Sequence, residues 1–257
     1  MKNFFRRLWN EVGIYKAQHP LIRGMWFAGG RQFVRRPPTE EERFLLSLSL
    51  VGKTVYDVGA NVGIMTLFFA RSVGDSGKVV AFEPHPYSYH RLNRNLRVNR
   101  LANVVSLQCA VGDTATTLDL FQPSRHLSAA TFDREKAENL KEGALIVHHV
   151  EVDSLDSLIA RYQLPLPDMV KVDVEGFEVH VLRGAHETIQ RCYPDWFIEI
   201  HRNINEEPTT PQIVEMLTTY SYRFYHVETQ SVVTQETASS IRGGHIFAQF
   251  EGKSGAV

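Results

Sequence analysis

From residue 54 onward the chain alternates between short β-branched apolar runs and longer stretches of helical periodicity. Residues 54–58, 79–82, 104–108, 169–172 and 197–200 read as strands, with helical stretches such as 64–72 and 87–98 between them. Continuous apolar strands alternating with helices predict a doubly wound α/β fold, a parallel sheet covered on both faces. The interval 114–152 breaks this rhythm: strand-like 118–121 and 145–152 flank a polar stretch at 128–139, which predicts an insertion over the top of the sheet. Residues 222–227 and 245–250 read as two further strands, an antiparallel hairpin closing the sheet edge across a Ser/Thr/Gly-containing loop. Ahead of the sheet, Pro37 and Pro38 punctuate the chain, and Thr39 with Glu42 three residues later predicts a capped helix reaching about Leu50.

Residues 1–38 differ from the rest in charge. They carry eight Lys and Arg against the single Glu11, a net +7, which leaves −8 for the remainder of a chain whose formal charge is −1. Phe4, Phe5, Leu8, Trp9, Val12 and Tyr15 recur at helical spacing opposite Lys2, Arg6, Arg7, Asn10 and Glu11, which predicts a basic amphipathic helix. Such a stripe docks on the body or a second subunit, or lies on an anionic membrane surface. The expected organisation is an arm at 1–38 and one domain at 39–257, with 114–152 as the insertion over the site.

The near-neutral total argues against a general polyanion-coating protein, and no nucleic-acid partner is expected. The longest uncharged apolar run, 65–70, is too short to cross a bilayer, and Arg6 and Arg7 stand where a signal peptide needs its apolar stretch. The expectation is a cytoplasmic protein, with 1–38 as its candidate contact to the inner membrane face. Cys109 and Cys192 lie far apart, so neither a disulfide framework nor a thiolate zinc site is expected.

The first strand runs into Asp57-Val58-Gly59-Ala60-Asn61-Val62-Gly63 and then a helix. Glycines there let backbone approach a ligand, and the helix start offers unpaired N–H groups, as in nucleotide cradles. Glu83 ends the second strand, where a carboxylate accepts both hydroxyls of a ribose. Asp113 follows the next strand, Asp173 and Glu175 the fourth, and Glu199 and His201 the fifth. The carboxyl ends of strands form the ligand crevice of such sheets, so these residues are expected to converge. Among the other histidines, His148 and His149 are expected on opposite strand faces, and His85, His90 and His186 on exposed surfaces. Arg125-His126-Leu127-Ser128 is placed to touch an acceptor from the insertion, Trp9 and Trp26 to cover the acceptor pocket or a partner, and Trp196 to begin a buried strand.

Together, Asp57–Gly63, Phe82-Glu83-Pro84, Ala110-Val111-Gly112-Asp113, Val170-Lys171-Val172-Asp173-Val174-Glu175-Gly176-Phe177-Glu178 and Ile198-Glu199-Ile200-His201 resemble the FkbM family of S-adenosylmethionine-dependent methyltransferases over about residues 50–250. The resemblance implies a class I methyltransferase fold with seven strands in the order 3-2-1-4-5-7-6, and O-methylation of a hydroxyl, often on a sugar or polyketide. It implies Asp57, Gly59, Asn61 and Gly63 around the methionine part of the cofactor, Glu83 on its ribose, Asp113 near the adenine and Asp173 by the methionine ammonium.

For methyl transfer to a hydroxyl, His201 is the expected general base, oriented by Glu199 or Glu175. Alternatively, Asp173, Glu199 and His201 hold a divalent cation such as Mg2+ that acidifies the acceptor. The expected acceptor is a small molecule or glycoconjugate, and the protein a candidate homo-oligomer. Two other classes share the cradle: an NAD(P)-type oxidoreductase, which expects a third glycine and has no use for the Asp173/Glu175 pair, and a non-catalytic module that only binds S-adenosylmethionine.

Overall fold

The computed structural model describes residues 13–29, 35–124, 130–140, 143–201 and 209–253. The segment expected as a helix through Tyr15 is instead extended where described: β1 (Ile14–Lys16) pairs antiparallel with β2 (Trp26–Ala28) across a 3-10 turn at Pro20–Ile22. The earlier part of that stripe lies outside the described residues. The hairpin is docked on the body. Ala17, Leu21, Ile22 and Phe27 are buried in one cluster with Leu45, Val55 and Leu67, and burying a side chain of this kind contributes about 1.5–3 kcal/mol. Asn95 Oδ1 accepts from the Ala28 N–H at 2.7 Å and Asn99 Oδ1 from that of Trp26 at 2.9 Å, so the packing is continuous across residue 38. Trp26 stays exposed and meets Lys16 face-on rather than covering a pocket.

Helix α1 (Glu40–Ser47) starts at the expected capping box, Thr39 accepting from Glu42 N–H and Glu42 from Thr39 N–H. It ends before Leu50 because Leu48 turns extended. The sheet then builds as read: β3 (Thr54–Val58), α2 (Ile64–Val73), β4 (Lys78–Phe82), α3 (Pro86–Val98) and β5 (Val104–Leu107). Next comes a separate three-stranded sheet of β6 (Ala110–Gly112), β7 (Thr116–Pro123) and β8 (Leu145–Ser154), with α4 (Arg134–Asn139) inside the β7–β8 connection. Helix α5 (Leu155–Tyr162) leads to β9 (Met169–Val172), α6 (Glu178–Arg183), α7 (His186–Cys192), β10 (Asp195–Glu199) and α8 (Thr210–Thr218). The chain closes with β11 (Tyr222–His226), β12 (Ser231–Val233), α9 (Gln235–Ala238) and β13 (His245–Phe250).

The main sheet has the order β12-β11-β13-β10-β9-β3-β4-β5. Without β12 this is the expected seven-stranded order. The correction is an eighth strand: the loop between the last two expected strands pairs Ser231–Val233 on the outer edge of β11. Strands β5, β4, β3, β9 and β10 are parallel, while β13 runs antiparallel to both β10 and β11. Tyr56, Phe82, Val172 and Ile198 face one buried cluster and Val55, Ala81, Phe197 and Phe247 the other, as period-2 strands covered on both faces require. Trp196 is fully buried near the start of β10, as expected.

Candidate active site

The turn after β3 passes so close to the end of β9 that only glycine fits. Gly59 has φ +80°, and a Cβ there would lie 1.8 Å from the Asp173 carbonyl oxygen. Asn61 follows, also left-handed at φ 48°, and its N–H donates to Glu83 Oε2 at 2.6 Å. The second Glu83 oxygen accepts from His85 N–H at 2.8 Å. Glu83 is only 6% exposed, and burial outweighs these two donors and pushes its carboxyl up to about 7.

A cavity opens over this turn at the carboxyl ends of β3, β4 and β9. Gly59, Asn61, Glu83, Asp173 and Glu175 line it, as the sequence led us to expect. Asp57, Gly63 and Asp113 take other places. The Asp57 carboxylate is fully buried beneath the turn, where Thr66 donates to Oδ2 at 2.6 Å and Lys171 Nζ lies 3.3 Å from Oδ1. Gly63 is the cap of α2, packed against Leu92. Asp113 bonds the His180 ring at 3.0 Å, and that ring stacks on Phe177, whose own side chain lines the cavity.

The remaining wall comes from the insertion: Leu120, Ala130, Thr131 and Phe132 join Ala110, Val111 and Phe177. His85, expected at an exposed surface, is buried in this wall. Its Nε2 meets Gln122 Oε1 at 2.8 Å, and His148 Nε2 meets the same oxygen at 2.8 Å. Two imidazoles converging on one insertion amide tie β7 and β8 to the Glu83 turn. His149 points away to Asp119, as strand alternation requires, while His90 and His186 are exposed. Arg125 to Ser128 lie outside the described residues.

Beside the cavity the ends of β9 and β10 bring the acids together. Ligand atoms of Asp173, Glu199 and His201 lie within 4.8 Å of one another. His201 Nδ1 sits 2.9 Å from Glu178 Oε1, and Nε2 is 3.5 Å from Glu199 and 3.7 Å from Glu175. Burial by itself would lower the His201 pKa, but Glu178, Glu175 and Glu199 lift it to about 9. Burial and the neighbouring Asp173 charge push Glu199 up to about 7 against the pull of His201, His245 and Lys171. Asp173 is held below the usual carboxylate range: burial opposes its ionisation, and the Lys171 and His201 charges overcome that opposition.

Lys171, Glu178, His245 and Glu41 had no assigned role in the sequence. His245 Nε2 lies 3.8 Å from Glu199 and 3.5 Å from Glu41, with Nδ1 on Glu228 at 2.6 Å. The one available signal was the basic Lys171 inside an otherwise apolar parallel strand, where a charge needs a buried partner.

The profile of the Methyltransferase FkbM domain matches residues 57–224, most of the chain. The chain belongs to the FkbM methyltransferase family. Among curated relatives, Methyltransferase sdnD of Sordaria araneosa is 32% identical over 157 residues, covering 52% of this chain and 60% of its own length. Hexuronic acid methyltransferase AglP of Haloferax volcanii is 28% identical over 173 residues, 67% of this chain and 66% of its own. The match thus spans about two thirds or less of these FkbM relatives. The crystal structure of Methyltransferase FkbM from Methylobacillus flagellatus KT superposes with a TM-score of 0.52 at 17% identity, over 81% of this chain and 46% of that one, a likeness of fold. The dinucleotide oxidoreductase alternative falls with the family assignment. Among the described residues no helix is long and apolar enough to cross a membrane.

Proposed function

We propose that this FkbM-family chain is an S-adenosylmethionine-dependent O-methyltransferase acting on a hydroxyl of a saccharide, a glycoconjugate or a similar small molecule. The observation that carries this reading is the double membership of Asp173: it lines the cavity with Gly59 and Glu83, and it stands in the group with Glu199 and His201. Cofactor pocket and proton-handling groups therefore meet at one carboxylate. The cavity suits an adenosyl ligand because a buried strand-end carboxylate, Glu83, faces it beside a turn that no side chain crowds. Glu83 accepts the ribose hydroxyls, Gly59 and Asn61 line the methionine end, and Val111 and Phe177 flank the base.

When bound, S-adenosylmethionine supplies a sulfonium methyl, so that the acceptor O–CH3 bond forms as the C–S bond breaks and its electron pair stays on sulfur. The chain orients the acceptor oxygen and takes its proton. The charges favour an exchange of the expected roles. Glu199, poised near neutrality, is the general base, and His201, kept protonated by its three glutamates, donates a hydrogen bond to the acceptor oxygen. A hydroxyl acceptor fits this arrangement because it brings a proton that must be removed. AglP, named for a hexuronic acid, supports a sugar acceptor.

A second reading rests on the same 4.8 Å grouping: the hard carboxylate oxygens of Asp173 and Glu199 and the borderline imidazole of His201 could together hold a divalent cation that acidifies the acceptor. Chelator-dialysed protein titrated with Mg2+ and Mn2+ decides between them, since heat of binding that is lost in Glu199→Gln supports the cation and its absence leaves the acid–base pair.

Transfer of labelled methyl from S-adenosylmethionine to a panel of mono- and oligosaccharides tests the main reading. Alkali-stable methyl ether on a sugar is the expected product. Micromolar binding of S-adenosylhomocysteine with label appearing only on amines, or only as alkali-labile methyl ester on carboxylates, would overturn the hydroxyl acceptor.

A further inference from the structure

Lys171 is a buried cation, 4% exposed, that none of the steps above uses. Its Nζ lies 3.3 Å from Asp57 Oδ1 and 3.3 Å from Asp173 Oδ2, and it donates to the Gly59 carbonyl at 3.2 Å. One ammonium thus joins the floor beneath β3, the glycine turn and the end of β9. Among the described residues the buried Asp57 Oδ1 accepts no hydrogen bond, and the Lys171 ammonium at 3.3 Å is the charge that compensates it.

A methyl donor arrives as a sulfonium cation and leaves as a neutral thioether, so the Asp173 carboxylate on the cavity wall, together with the Asp57 carboxylate buried beneath the turn, would without a compensating charge hold the donor far more tightly than the product. In a site shielded from water, a fixed positive charge offsets that bias. We propose that Lys171 sets the charge preference of the cofactor site, bringing the affinities for the cationic donor and its neutral product closer together. This rests on the methyl-donor reading. Lys171 is in this sense a specificity-determining residue that acts through Asp57 and Asp173.

The test needs no acceptor. Binding of S-adenosylhomocysteine, a neutral thioether, and of sinefungin, which carries an amine cation at the corresponding position, is measured by calorimetry. Lys171→Gln keeps a donor for the Gly59 carbonyl and removes the charge. Its sinefungin-to-S-adenosylhomocysteine affinity ratio is expected to rise about tenfold, equivalent to about 1.4 kcal/mol. Lys171→Arg keeps the wild-type ratio. An unchanged ratio in Lys171→Gln, with both ligands weakened alike, would show a purely structural lysine and overturn the proposal. The Asp57→Asn and Asp57→Asn/Lys171→Gln proteins give the same comparison with the Asp57 charge removed: a ratio about tenfold higher in the double variant supports the proposal, and equal ratios sink it. Wild-type protein that binds neither ligand removes the methyl-donor reading itself, a separate result.

Discussion

Glu199 and His245 are register partners across the antiparallel junction of β10 and β13, and His245 Nε2 points back to within 3.8 Å of Glu199 Oε2. The reversal of β13 is what makes this possible: the start of the last strand sits beside the end of β10, so a residue late in the chain joins the crevice formed by the parallel strands. His245 also stacks on Phe197, with ring centroids 5.1 Å apart.

His245→Phe keeps that stacking and removes the imidazole that opposes the rise of the Glu199 pKa. Glu199 then ionises at higher pH, and the acid limb of the methyl-transfer profile moves up. At pH 7 the rate is expected to fall by a factor of about two to ten, recovering near pH 8.5. A profile that drops uniformly at all pH values would show that His245 does not act through Glu199.

In the proposed mechanism His201 supplies the opposite limb. Its folded pKa of about 9 lies above the ordinary 6.5, so its pairing with Glu178 stabilises the fold fully below pH 6.5 and that contribution is lost as pH rises through 9. Urea midpoints of the wild type should decline over that window, and those of His201→Gln should decline less. The same variant should retain S-adenosylhomocysteine binding while losing about 100-fold or more in transfer.

Glu83 titrates in the reverse sense to a salt-bridged acid. Its pKa is raised from 4.5 to about 7 by burial, so its contribution to stability is present below pH 4.5 and is lost as pH rises through 7. Ligand binding should run the other way, because ribose hydroxyls donate to the ionised form. Affinity for S-adenosylhomocysteine should increase up to about tenfold between pH 6 and 8, and Glu83→Gln should bind weakly with no such slope. Calorimetry at four pH values is sufficient to decide.

Two glycines of similar φ separate strain from crowding. Gly24, at φ +84°, has nothing within 4 Å of the point where a Cβ would stand, whereas at Gly59, φ +80°, that point lies 1.8 Å from the Asp173 carbonyl oxygen. Gly24→Ala should cost about 1 kcal/mol and leave ligand binding intact. Gly59→Ala should cost about 3 kcal/mol or more and abolish binding, since backbone at the ends of β3 and β9 must separate. Equal denaturation midpoints for the two variants would contradict this account.

The parallel strands, the helices between them and the acids at the strand ends were legible because period-2 and helical patterns are local, and because Asp57, Glu83, Asp173 and Glu199 stand out after apolar runs. Capping of α1 by Thr39 and Glu42 was local for the same reason. The eighth strand was not: Ser231–Val233 is only three residues, too short to declare itself, and it pairs along the edge that β11 offers. Of the N-terminal stripe only Tyr15 lies among the described residues, and it is extended rather than helical because the hairpin at 14–28 is held by Asn95 of α3 and by its C-cap Asn99, far along the chain.

Within the site, the sequence by itself determined which residue types end which strands. The tertiary structure alone decided their surroundings. It put Asp57 under the turn and Asp113 on His180, drew His85 into the cavity wall, and set Lys171 against a Gly59 carbonyl 112 residues away. It also surrounded His201 with Glu178, Glu175 and Glu199, which raises the His201 pKa, and set Glu199 beside Asp173 in a buried position, which raises that of Glu199. The physical reason is that a charge's behaviour depends on burial and on neighbours within a few ångströms, and those neighbours are assembled by strand order and register rather than by proximity along the chain.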